Sequence, residues 1–508
     1  MKKLFTWLLV LCMLLSLTAC KKPADNDGTG TGAAANNNEE DTEWTYIHVE
    51  NTGNFQVEEL DTGTGIAGVN KEILNNDDLI QPEKFAGKKI QIYGYDSEEY
   101  EDIDNADWLS FIWMVRAAVD EWATLNRVEV EYVGGYDQSV ILSDINAGGK
   151  PDLLLYCDKF PLPAMTGLTR AFTKAEYDEL ARTTGAYYLD MLKFKGESHG
   201  VQSPWSGGTL CYYNKTQFEK YGVKSPGEYF MEDNWNWDTY EKAITEITRD
   251  VDGDGVIDLY GSGTIFWLTA PPYSLVMEDS GKLTSTMRES EEYMRYLDLY
   301  YKAVNETKAS GEYKTAYLAT SPRPATSFGD AEWYNFAHLH RNLANGDLIE
   351  VVPVPRYSND SFTYYHHTPV FSSILTSCDE PEATLSLLNY TLRVGMRYIS
   401  DYSLGLYKCN YEGIRGASKY AHDWKERFAE EVATRKAEFD SLTEWDQELY
   451  QKMQDYVLNA DLHYTGFVFS EESSSTSEAG KLPAASAMSV IAARHEAWVQ
   501  SYNEKYAN

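Results

Sequence analysis

Basic residues are scarce in this chain: 44 Lys and Arg stand against 79 Asp and Glu in 508 residues, a formal net charge of −35 at pH 7. A surface this acidic repels phosphates, which argues against nucleic acid and anionic lipid as partners. Cysteine is also sparse, six in all. Those beyond the first twenty residues, Cys157, Cys211, Cys378 and Cys409, are spaced too widely for a disulfide framework or a zinc site. Cys157 and Cys211 lie in apolar runs and read as core residues, and a Cys378–Cys409 bridge is left open. Beyond the N-terminus no segment is apolar and long enough to cross a bilayer. Gly-x-Ser-x-Gly, His-Glu-x-x-His and the phosphate-binding Gly-x-x-x-x-Gly-Lys-Ser/Thr are all missing, and no internal repeat is found. Histidines number nine, and the pairs His338/His340 and His366/His367 read as surface or core rather than as metal ligands.

The chain begins with Lys2 and Lys3 ahead of residues 4–19, which are almost wholly apolar. This run falls short of the roughly 20 residues that a membrane-spanning helix needs, and its flanks are those of a signal peptide. Leu17-Thr18-Ala19-Cys20 resembles a bacterial lipobox. Residues 1–19 are therefore expected to be removed, with Cys20 carrying lipid that tethers the protein to the extracellular face of the cell membrane. Residues 20–43 hold no aromatic or large aliphatic side chain and read as a flexible spacer.

From residue 88 the pattern becomes that of a folded α/β protein. "KKIQIYGYD" (88–96) predicts a strand, residues 107–126 a helix at 3.6-residue spacing, and "RVEVEYV" (127–133) a second strand. "QSVILSDINAGGKPDLLLY" (138–156) predicts a helix, a Gly-Gly stop and a buried strand. The order β-α-β-α-β implies a parallel sheet, whose ligands bind beyond the carboxyl ends of its strands. "GTLCYYN" (208–214), residues 236–250, "LYGSGTIF" (259–266) and "LIEVVPVPRY" (348–357) predict a strand, a helix and two more extended segments. The prolines of the last suit an edge or a crossover. Residues 380–508 read as mainly helical.

Three short motifs follow one another through this region: Gly148-Gly149-Lys150-Pro151-Asp152, Tyr213-Asn214-Lys215 and Asn236-Trp237-Asp238. Together with the lipobox, the ordered set resembles the bacterial extracellular solute-binding proteins of ABC importers, in the carbohydrate-binding group that includes maltose-binding protein. The third motif departs from the family's Thr-Trp-Asp. The resemblance spans about residues 88–395. It implies a two-lobed periplasmic-binding-protein-like α/β fold with an interlobe cleft and a hinge, closing on its ligand. The implied division is an N-terminal lobe over 44–205 and 351–390, a C-terminal lobe over 206–350, and a helical region over 391–508 mostly on the C-terminal lobe. The chain would cross near 202–208 and 350–355.

The implied function is capture of an oligosaccharide or related sugar for delivery to a membrane permease, by a monomer without catalytic activity. An exported polysaccharide-active enzyme using two of the many carboxylates, or a same-fold binder of a peptide or other solute, stays open. Sugars stack their C–H faces on aromatic rings and hydrogen-bond to acids and amides. The candidates near strand ends and crossings are Tyr95, Asp96, Tyr156, Asp158, Trp205, Trp267 and Trp333.

"RDVDGDGVIDLYG" (249–261) places Asp250, Asp252 and Asp254 at positions 1, 3 and 5 of an EF-hand-type loop. Gly255 falls at the turn, the Val256 carbonyl at position 7 and Asp258 at position 9. Hard oxygen ligands at that spacing suit a structural Ca²⁺, whose charge relieves the carboxylate repulsion. Position 12 is Gly261 instead of the usual Glu. Either another segment supplies that ligand or the site is weak.

Overall fold

Parallel strands cannot be joined by a tight turn, so each neighbour in such a sheet needs a helical crossover. The computed structural model follows that rule through its first hundred described residues. It describes residues 76–94, 109–135, 137–157, 160–190, 192–202, 209–263, 275–278, 280–311, 323–330, 346–361, 363–365, 371–404, 416–418, 420–423, 437, 440–459, 462–464 and 480–506. Strands β1 (Lys89–Tyr93), β2 (Glu129–Gly134) and β3 (Leu153–Cys157) lie parallel in the order β2-β1-β3. They are linked through α1 (Leu109–Asn126) and α2 (Gln138–Asn146). Ile90 and Ile92 alternate with Gln91 along β1 and are fully buried. Asp137 caps α2, accepting from Ser139 N at 2.8 Å.

Helix α3 (Lys174–Thr184) starts with a Thr173/Glu176 capping box that Arg170 braces through bonds of 2.8 and 2.7 Å to both Glu176 oxygens. The two-residue strand β4 (Val201–Gln202) then completes the edge of the first sheet.

The chain next builds a second sheet of four strands. These are β5 (Thr209–Asn214), β6 (Leu259–Ser262), β7 (Arg323–Asp330) and β8 (Ile349–Pro353), in the order β8-β5-β7-β6. Strand β7 is antiparallel to β5 and parallel to β6, and β8 is antiparallel to β5. Helices α4 (Lys215–Tyr221), α5 (Pro226–Met231), α6 (Trp237–Ile247) and α7 (Glu291–Tyr301) belong to this half. The buried face of α6 carries Trp237, Tyr240, Ala243, Ile244 and Ile247, the 3.6-residue stripe seen in the sequence.

Strand β9 (Phe371–Ile374) returns to the first sheet and lies antiparallel between β3 and β4. Helix α8 (Pro381–Leu404) then packs on α1 and α3. Between them Trp122 donates to Ser386 Oγ at 3.2 Å. The fully buried Glu121 accepts from Tyr390 Oη at 2.5 Å and from the amides of Gly416 and Ala417 at 2.6 and 3.1 Å. Helix α9 (Glu444–Asn459) packs on α5 and α8, and α10 (Ala484–Tyr506) on α7. No described helix is long and apolar enough to cross a membrane.

Two expectations need adjusting. The lobe boundary at 350/351 falls inside β8, whose residues pair with β5 from Ile349↔Asn214 through Pro353↔Leu210. The return therefore lies between Pro353 and Phe371. Pro353 sits on an edge strand, where its missing N–H costs no ladder bond. The boundary at 390/391 falls inside α8, one uninterrupted helix of the first half. Cys378 carries a free thiol, pushed up to about 12 mainly by burial, with Thr384 Oγ1 at 3.4 Å. Cys409 lies outside the described residues. Cys157 and Cys211 are buried in the core, as their apolar surroundings predict.

Candidate functional site

The ends of β1 and β3 are where a ligand of such a sheet is expected, and three of the seven proposed contacts, Tyr95, Asp96 and Asp158, follow them in sequence. Tyr95, Asp96, Asp158, Trp205, Trp267 and Trp333 lie outside the described residues, as does Cys20. Tyr156 is the fourth residue of β3.

The three motifs that carried the family resemblance turn out to be joints of the scaffold. Asp152 is buried, and its carboxylate accepts from Gln91 N at 2.9 Å and Asp379 N at 3.1 Å, fastening β1 to the turn before α8. Lys150 pairs with Asp379 at 2.5 Å across the same turn. Asn236 caps α6 through Asp238 N and Thr239 N at 3.0 and 3.1 Å. The Trp235 and Trp237 indoles donate to the carbonyls of Pro353 and Pro355 at 2.7 and 3.1 Å. Those bonds fix the stretch that leaves β8. Asn214 caps α4 through Gln217 N at 3.0 Å and donates to Asp347 at 2.8 Å.

The Asp-rich loop is a closed ring of side chain to backbone bonds. Arg249 N donates to Leu259 O at 2.9 Å and Leu259 N to Arg249 O at 3.1 Å, sealing its base. Asp250 accepts from Gly253 N at 2.6 Å and Gly255 N at 2.7 Å, Asp252 from Asp254 N at 3.1 Å, and Asp254 from Val256 N at 2.8 Å. Gly253 and Gly255 have φ of +81° and +89°, a left-handed conformation that glycine adopts at little cost. The Gly255 amide, with its neighbours, holds the Asp250 carboxyl below its ordinary value.

One oxygen from each of Asp250, Asp252 and Asp254 lies within 4.8 Å of the others. The charge and spacing of that trio fit a hard divalent cation. Asp258, expected as a further ligand, is not part of it. Its Oδ2 instead accepts from Val251 N at 2.6 Å and Asp252 N at 3.3 Å, because the loop closes through those amides. The Val256 amide is committed to Asp254 and its side chain is exposed.

Position 12 has a physical explanation. A Cβ on Gly261 would stand 1.9 Å from Ile244 O, because β6 lies directly against α6 there. No glutamate can occupy that position while the strand stays packed.

A second group of carboxylates lies buried in the same half. Glu350 on β8 is fully buried, and its carboxyl accepts from Tyr213 Oη and from Lys215 Nζ, the latter at 3.0 Å. Lys215 also pairs with Asp446 near the start of α9, and Thr443 Oγ1 donates to Asp446 at 2.6 Å. Lys215 thus brings the Glu350 and Asp446 carboxyl groups together on one ammonium. Burial, with the Asp446 contact, pushes Glu350 up to about 8. Burial also opposes ionisation of Asp446, but the bonds from Glu350, Lys215 and Thr443 outweigh it and hold that carboxyl well below its ordinary value. Burial works against the charge on Lys215, and its two acidic partners more than offset that. A cavity of about 740 Å³ opens beside this group, lined among others by Lys215, Phe218, Lys224, Thr443 and Trp445.

No protein-family profile and no curated protein matches the chain. Solved structures do. A sugar transporter from Rhizobium etli in an open conformation aligns with a TM-score of 0.54 at 11% identity, over 81% of this chain and 99% of its own. Maltose-bound MalE3 from T. maritima aligns at 0.48 and 15% identity, over 81% and 100%. A substrate-binding protein from Listeria monocytogenes in complex with cycloalternan aligns at 0.48 and 15% identity, over 82% and 98%. Two sheets joined by a chain that leaves one and returns to it agree with the alignment to the Rhizobium protein, and the chain has the two-lobed α/β fold of the periplasmic-binding-protein class.

Proposed function

We propose that the protein is a non-catalytic, extracellular solute-binding lipoprotein that captures an oligosaccharide or related sugar and hands it to an ABC-transporter permease. The observation that carries this reading is the two-sheet architecture, aligned over nearly the whole length of a sugar transporter's fold. The lipobox ending at Cys20 supplies the anchor, and the acidic surface keeps the protein off anionic phosphates. The ligand would sit past the carboxyl ends of β1 and β3, facing the second lobe. Tyr95, Asp96, Tyr156 and Asp158 would then line one wall, and Trp205, Trp267 and Trp333 the crossing and the other wall.

The Asp-rich loop serves this reading as a structural calcium clip, with Asp250, Asp252 and Asp254 holding the ion between the end of α6 and β6. Its ligand set is short of a full EF-hand, which suits a site working at extracellular calcium concentrations.

Incubating the soluble protein with end-labelled oligosaccharides separates binder from enzyme. The reading predicts recovery of every oligosaccharide uncut, with at least one retained by the protein on a sizing column. Accumulation of shortened products would establish the polysaccharide-active alternative instead.

A further inference from the structure

We propose that Glu350 and Asp446 share a single proton in the folded protein, and that this proton fastens helix α9 to strand β8. Two carboxyl groups meet one ammonium, Lys215, within a cluster where Glu350 is fully buried and Asp446 nearly so. Two ionised carboxylates in contact, balanced by one cation, would leave a net buried negative charge, which is costly. Both carboxyl groups meet the same Lys215 nitrogen, which brings their oxygens near enough for one group to keep a hydrogen and the other to accept it.

The surroundings decide which group keeps the proton. Asp446 stands at the first turn of a 16-residue helix, where the helix dipole favours an anion, and it accepts from Thr443 Oγ1 at 2.6 Å and from Lys215. Glu350 is the second residue of β8, every residue of which is buried. Among the described residues, the other elements packed on β8 bring no second cation to Glu350. Strand β5 brings the Tyr213 phenol, itself raised far above its ordinary value by burial first and by Glu350 next. Helix α4 brings Lys215, which Glu219 meets only at 3.9 Å. Helix α5 brings Gly227 against the Tyr213 hydroxyl, while the Glu228 carboxylate turns back to Ser225 N at 2.7 Å. The neutral carboxylic acid is Glu350, donating to ionised Asp446.

The sign of the pH dependence follows. Folded Glu350 keeps its proton up to about 8, whereas the unfolded chain releases it near 4.5. The stabilisation is fully present below the lower value and is lost as pH rises through the upper one. Asp446 acts oppositely, since its depressed value makes its contribution disappear only on acidification. Between the two, the cluster favours mildly acidic conditions. The 740 Å³ cavity that reaches Lys215 and Thr443 gives water a path to the edge of the cluster.

The test pairs wild type with Glu350→Gln, which keeps the shape and a donor but cannot titrate. Denaturant unfolding across pH 5 to 9 should show the wild-type folding constant falling relative to the variant's, by up to about tenfold per pH unit until Glu350 is ionised in both states. A ratio that stays constant over this range would overturn the proposal. Should the variant fail to fold, infrared spectra of the wild type alone decide. A protonated-carboxyl band present at pH 6 and lost by pH 9 supports the shared proton, and a spectrum with no such band contradicts it.

Discussion

Two clusters of carboxylates sit in the same half of this molecule, and they handle mutual repulsion in opposite ways. In the loop of residues 250–258 the charges stay near water, and each of the first three aspartates is met by backbone amides 2.6–3.1 Å away. Solvent screens what the amides leave, and the trio remains available to an external cation. At Glu350 and Asp446 the charges are out of water, so the cluster neutralises itself from within by an ammonium, a phenol and a retained proton. The loop would respond to metal and the buried group to pH. Burial alone separates the two behaviours.

The sharpest way to break the comparison is to remove the internal cation. Lys215→Met should cost about 3–5 kcal/mol, because it leaves the ionised Asp446 buried without its counter-charge. Chemical denaturation at pH 7 measures this, and a loss under 1 kcal/mol would mean that the cluster does not depend on its ammonium. The same variant should lose less at pH 5, where added protons can replace the missing charge.

A smaller effect is expected at the loop. Calcium should raise the melting temperature, with each further tenfold of free calcium above the dissociation constant multiplying the folding constant by about ten. Asp252→Ala combined with Asp254→Ala should abolish that dependence while leaving the pH response of the Glu350 cluster unchanged. Identical melting of the wild type in calcium and in chelator would remove the metal from the account.

Much of the architecture was legible because burial writes a local period into the chain. Ile90 and Ile92 alternating around Gln91, or Tyr240, Ala243, Ile244 and Ile247 along one face of α6, announce their element within a dozen residues. The Asp-rich loop was legible for the same reason, since its ligands follow one another in sequence. Its missing glutamate was not, because only the packing of β6 on α6 shows that Gly261 has no room for a side chain. The buried cluster escaped because its members are remote: Lys215 lies 135 positions from Glu350 and 231 from Asp446. One signal was there to read. A lone acid inside the apolar run "IEVVP" must find a partner if the strand is buried.

The motifs teach a related lesson. Asp152, Asn214 and Asn236 tie strands, turns and helix starts together, so they belong to the scaffold and not to a ligand site. They say nothing of the ligand, whose proposed contacts at residues 95–96, 158, 205, 267 and 333 lie outside the described residues.

The central claim is that a sugar binds between the lobes. Isothermal titration of the protein without its first 43 residues, against a panel of gluco-, manno-, xylo- and galacto-oligosaccharides, tests it most directly. The account predicts saturable binding of at least one member with one site per chain. The absence of binding heat or thermal shift with every member of the panel, from a protein that melts cooperatively, would contradict it.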